Sequence, residues 1–226
     1  MNPRYQARCD NQSVATIVGC HHSKVSILVG YGLLDCLNQR IEGVVKYYAT
    51  IDVLRRTADP KWQVRATQVL SGTADGIDGP VHHESKKRSR GLSESLTRYA
   101  VSDITTQHIV AQFTEALKLG PDNKPIPALL GDPLVARVLG FRLHDLPTLR
   151  REGYLKFLNK GRKSEKKLHS REYILELAVD VPWLARATLA MNAYWNYKNG
   201  QKGNGGGLPW GRLTTIQPPT GGFATP

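Results

Sequence analysis

Acidic residues are scarce in this chain. Nineteen Asp and Glu stand against thirty-one Lys and Arg, leaving a formal charge of +12 and a sequence pI near 9.8. Cysteine is scarcer still. Cys9, Cys20 and Cys36 are an odd number at irregular spacing, which argues against a disulfide framework and reads as free thiols in a reducing compartment, intracellular or inside a virion. No apolar run approaches the ~18 to 20 residues that cross a bilayer, so no membrane span is expected. Met1 to Asn11 is polar and lacks the apolar core of a secretory signal. The phosphate-cradling Gly-x-x-x-x-Gly-Lys-Ser/Thr loop, the Gly-x-Ser-x-Gly elbow and His-Glu-x-x-His are all missing, which removes the commonest nucleotide, hydrolase and metalloprotease signatures. No helix-turn-helix glycine pattern, zinc-finger spacing or ribonucleoprotein motif is legible, and no internal repeat is found.

What is present is positive charge on an otherwise ordinary composition, 40% hydrophobic and 22% charged in 226 residues. Such a chain repels itself and attracts polyanions, so nucleic acid is the first partner to consider, with RNA favoured slightly over DNA. The periodicity predicts an α+β fold: an N-terminal antiparallel β-rich part over 1–72, a basic loop over 73–91, a helical part over 92–199 and a Gly/Pro-rich tail over 200–226. Val45, Tyr47, Ala49, Ile51 and Val53 alternate with Lys46, Tyr48, Thr50 and Asp52, and Trp62 to Leu70 alternates likewise, which reads as two strands. Asp103 opens a helix to about Leu119, Asp145 caps one over Leu146 to Lys160, and Asp180 caps an almost wholly apolar helix over Val181 to Tyr197. The tail holds eight glycines and four prolines in 200–226 and cannot pack a core of its own.

The charge is concentrated. Arg150, Arg151, Lys156, Lys160, Arg162, Lys163, Lys166, Lys167 and Arg171 face only Glu152 and Glu165 over 150–171. A helix end followed by a basic linker can follow a phosphate backbone, because each cation needs proximity and not a rigid pose. A second cluster is Lys86, Lys87, Arg88 and Arg90. A third candidate is a face of the early sheet, where Lys46, Tyr48 and Arg65 project together and the ring offers a stacking platform for bases.

Catalytic chemistry has weaker support. Cys9, Cys20, His21, His22 and Cys36 fit no standard zinc spacing, and no metal or other cofactor is expected. Asp75, Asp78, His82, His83, Glu84 and Lys86 form the one set that a metal-dependent nuclease or RNA-processing enzyme can use. His144-Asp145-Leu146 resembles the opening of the His-x-x-Arg box of tyrosine recombinases, but Pro147 stands where that box needs arginine. Gly203 to Gly211 resembles the glycine-rich loop near the C-terminus of RNA-processing CRISPR endonucleases. The expectation is therefore a structural nucleic-acid-binding protein, backbone-directed and not sequence-specific, such as a nucleocapsid or coat subunit or a ribonucleoprotein component, working as a homo-oligomer or as a subunit of a larger complex.

Overall fold

The computed structural model describes residues 6–38, 44–72, 103–120, 124–159 and 166–203. The chain divides into two compact units, 1–192 and 193–226. The fold mixes α and β, as expected, but the strands are few and short. Among the described residues there are two separate two-stranded antiparallel sheets.

The first unit opens with β1 (Arg8–Asp10) and α1 (Asn11–Val18). A 3-10 turn at His22–Lys24 leads directly into α2 (Val25–Gly30), and β2 (Tyr47–Ala49) returns to pair with β1. The helices α3 (Thr50–Thr57) and α4 (Pro60–Ser71) follow. After α5 (Asp103–Leu117) the same order recurs: β3 (Leu129–Gly131), α6 (Asp132–Leu139), a 3-10 turn at Leu143–Asp145, α7 (Leu146–Arg151), β4 (Leu168–Ser170), α8 (Arg171–Val179) and α9 (Val181–Gly203).

The recurrence keeps one offset throughout. Arg8 pairs with Ala49 and Leu129 pairs with Ser170, each 121 residues further on. Gly19 and Gly140 end equivalent helices at positive φ, as do Gly32 and Gly153 in the next turn. The indole of Trp62 donates to Leu33 O at 2.7 Å and that of Trp183 to Tyr154 O at 3.2 Å. Eight equivalent pairs fill the two cores: Val14/Val135, Ala15/Ala136, Val25/Leu146, Leu28/Leu149, Leu34/Leu155, Val53/Ile174, Trp62/Trp183 and Ala66/Ala187 are all buried. The chain is thus a tandem repeat of one module, over 7–70 and 128–191, and the expectation of no internal repeat is corrected. Sixteen of the 64 aligned positions are identical. Conserved burial with so little identity keeps the repeat out of sight in the sequence.

The expected N-terminal β-rich part is also corrected, because the strand read over Trp62 to Leu70 is helix throughout and the one read over 44–54 keeps only three strand residues. Asp59 caps α4 by accepting Lys61 N–H at 2.9 Å, Pro60 sits in its first turn and Gly72 closes it at φ 75°. Trp62, Ala66 and Val69 are its buried residues, spaced four and three apart as on one helix face. Val64, which the alternation put inside, is 59% exposed. The strand read over 44–54 keeps only β2; Thr50 to Thr57 coils into α3, with Asp52 in its first turn and Arg55 and Arg56 in its last, matching the helix dipole. Arg56 is itself buried, held by Leu33 O at 3.1 Å and Asp35 at 2.5 Å.

Downstream, α5 packs on both α3 and α8, equivalent helices of the two modules, with Phe113 and Leu117 buried. The helix expected over Leu146 to Lys160 ends at Arg151, and Gly153 at φ 77° turns the chain away. Asp180 caps the last helix as expected, accepting Trp183 N–H at 2.9 Å. In the second unit Tyr194 and Trp195 meet edge to face, and the Lys198 ammonium lies over both rings. No described helix is long and apolar enough to cross a membrane.

Candidate nucleic-acid interface

In each module a helix, a glycine turn and a second helical segment are followed by a loop that returns to the sheet. In the second module these are α6, Gly140-Phe141-Arg142, and 143–151. The structure therefore sets a helix, a glycine turn and a second helical segment in succession, an order that no glycine pattern announced. The second helical segment exposes Leu143, His144, Pro147 and Arg151, next to the exposed turn residue Arg142, while Leu146, Thr148 and Leu149 are buried. Asp145 is also buried; its carboxylate accepts Arg142 N–H at 3.1 Å, so it braces the turn.

The loop after this segment is closed at its base. Leu158 N–H donates to Leu168 O at 2.8 Å. The Asn159 side chain spans the same gap, donating to Lys166 O at 2.8 Å and accepting Leu168 N–H at 3.0 Å. The first module repeats all of this with Leu37, Asn38, Val45 and Tyr47. Two hydrogen bonds from one side-chain amide fix where the chain leaves and rejoins the sheet.

The two loops differ in charge. Positions 156–168 carry six cations (Lys156, Lys160, Arg162, Lys163, Lys166 and Lys167) and one carboxylate, Glu165. The equivalent 35–47 carry Arg40 and Lys46 against Asp35 and Glu42 and are neutral. Lys156 and Lys166 are exposed, and the Lys167 ammonium sits 5.0 Å from the Phe157 ring. Lys160, Arg162 and Lys163 lie outside the described residues, as do Lys86, Lys87, Arg88 and Arg90 and the whole Asp75 to Lys86 set.

Several expected contacts serve the fold instead. Arg150 is half-buried and donates to Asp132 Oδ1 at 2.6 Å. His169, fully buried on β4, lies 3.6 Å from the same carboxylate through Nε2 and hydrogen-bonds Lys156 O through Nδ1 at 2.6 Å. Because a carbonyl only accepts, Nδ1 carries the proton in neutral His169. Burial pulls this imidazole below its ordinary pKa, against the opposing effects of Lys156 O and Asp132. The network joins α6, α7 and the base of the basic loop. It was missed because Asp132, Arg150 and His169 are far apart in sequence. Arg171 is likewise engaged, by Ile126 O at 3.3 Å and Glu172 at 2.8 Å, and Arg151 pairs with Glu152 at 3.0 Å.

The base-stacking platform is not present. Tyr48 is 1% exposed in the core of the first module, and burial raises its phenol pKa. Lys46 donates to Asn38 O at 3.4 Å, and Arg65 is carried by helix α4, so no open sheet face joins the three. Cys9 and Cys36 are buried, burial pushing the Cys9 thiol up to about 12. His21 and His22 are exposed, and His21 bonds Ser23. Among the described residues no three His, Cys, Asp or Glu side chains converge on a metal-sized site.

Comparison with protein-family models, curated proteins and solved structures finds no match to this chain.

Proposed function

We propose that the chain is a structural nucleic-acid-binding protein whose second module holds the phosphate backbone of a duplex. The observation that carries this reading is an exposed 143–151 segment followed in sequence by six cations over 156–168, in a stretch whose two ends Asn159 ties together. A helix-turn-helix sets its second helix against a groove while flanking cations neutralise phosphates. DNA fits this shape better than RNA, the partner favoured from sequence, because the A-form major groove is too narrow and deep to admit a helix. Binding is directed mainly at the backbone: the exposed helical face offers Leu143 and Pro147 beside Arg142, His144 and Arg151, few groups able to read base edges.

The test is the salt dependence of duplex binding. Each phosphate contact contributes about 0.9 to the slope of log affinity against log salt. Replacing Lys160, Arg162, Lys163, Lys166 and Lys167 by glutamine flattens that slope by up to about 4.5 and weakens binding to all sequences alike. Replacing Lys24, Lys46 and Lys61 of the first module leaves the slope nearly unchanged. An unaltered slope in the five-residue variant rejects this interface.

A further inference from the structure

The two modules meet through unlike surfaces. The sheet end of the first, at Ala7, Arg8 and Tyr47, sits on the helix turn of the second, at Val138, Gly140 and Phe141. Ala7 N–H donates to Val138 O at 2.7 Å, and Arg8 donates to Gly140 O through Nε and a terminal nitrogen at 3.1 and 2.9 Å. The guanidinium carbon lies 3.8 Å from the Phe141 ring centre and 4.0 Å from that of Tyr47.

Were the modules related by a twofold axis, the same contact would occur twice: Ala128 and Leu129 would cover Ile17, Gly19 and Cys20 within the chain. They do not. Arg8 is 4% exposed, whereas its equivalent Leu129 is 51% exposed. Ala7 is fully buried and Ala128 is exposed. A Cβ on Gly140 would collide with the carbonyl of Arg8, whereas one on Gly19 would have no atom within 4 Å. The contact is heterologous, and a heterologous contact used once leaves one copy of each surface uncovered.

We propose that these two leftover surfaces bind each other between copies of this chain, the Leu129 end of one copy seating on the Gly19–Cys20 turn of the next and generating head-to-tail assemblies. The occupant follows from the internal interface, which supplies the template: an equivalent helix closed by a glycine at positive φ, and an equivalent sheet edge in the same register. The chemistry is matched in apolar form. Leucine stands where the first module has Arg8, and the smaller Cys20, with half-buried Ile17 and Val18, stands where the second has Phe141. A buried leucine needs no partner for a charge and fits the space that the absent ring leaves. This arrangement does not depend on nucleic acid, so it stands or falls separately from the function proposed above.

Site-directed cross-linking tests it on the full chain freed of nucleic acid by nuclease treatment. In L129C, the new thiol of one copy faces Cys20 of the next, while Cys9 and Cys36 are buried. Mild oxidation gives a ladder of dimers, trimers and longer species on a non-reducing gel, and adding Cys20→Ser abolishes it. In parallel, Leu129→Glu lowers the sedimentation-average mass of the otherwise native chain at high concentration. Absence of cross-links, a link confined to one chain, a series that stops at dimers, or a ladder that survives Cys20→Ser overturns the proposal.

Discussion

Arg8 and Gly140, 132 positions apart in the chain, form the joint between the two modules. Both Nε and a terminal nitrogen of Arg8 donate to the Gly140 carbonyl, and the guanidinium is sandwiched between the Tyr47 and Phe141 rings. Burial lowers the Arg8 pKa to about 10, still well above neutrality, so the group stays charged and relies on the two ring faces and the carbonyl in place of water. Gly140 is required twice over: its φ is 74°, and the Arg8 backbone leaves no room for a Cβ.

This gives a comparison between equivalent glycines. Gly19→Ala meets only the left-handed backbone strain, about 1 to 2 kcal/mol. Gly140→Ala meets that strain and the collision with Arg8, so its loss is expected to be at least about twice as large. Urea unfolding of the two variants, with equal m-values, measures the difference; equal losses would show that the modules do not meet as described.

The paired tryptophans offer a second test. Trp183→Phe leaves the Tyr154 carbonyl without its indole donor and is expected to cost about 1 to 3 kcal/mol. Trp62→Phe is expected to cost less, because Leu33 O keeps the Arg56 guanidinium at 3.1 Å. Chemical denaturation ranks the two.

Asn38 and Asn159 make the same two bonds at the two loop bases. Replacing either by alanine is expected to destabilise the chain by about 1 to 2 kcal/mol. Only Asn159→Ala is expected to weaken duplex binding as well, since only that loop is basic. Thermal melts together with binding titrations separate the two effects.

His169 predicts a pH dependence. Its folded pKa lies below the ordinary 6.5 while the unfolded chain titrates near that value. As pH falls through about 6.5 the unfolded state takes up the proton first, so the stability given by the neutral buried ring is complete above that pH and drains away as pH drops to the folded value. His169→Gln has no such titration. The stability difference between wild type and this variant is expected to shrink from pH 7.5 to pH 5; a difference that grows would place a protonated His169 in an ion pair with Asp132.

The amino-acid sequence by itself determined the charge, its concentration after residue 149, the cap at Asp180, and the mixed α and β character. These are local properties, set by residue type and near neighbours. It did not reveal the repeat, because sixteen identities scattered over 64 positions are carried by burial and turn geometry, which many apolar residues satisfy alike. Nor did it separate α4 from a strand, since a short apolar run can match both periods until tertiary packing selects the face with Trp62, Ala66 and Val69. Only the folded chain decided that Tyr48 is core, that Arg150 answers Asp132, and that Arg8 joins the modules. Each depends on groups brought together from distant positions, and no local pattern encodes such a meeting.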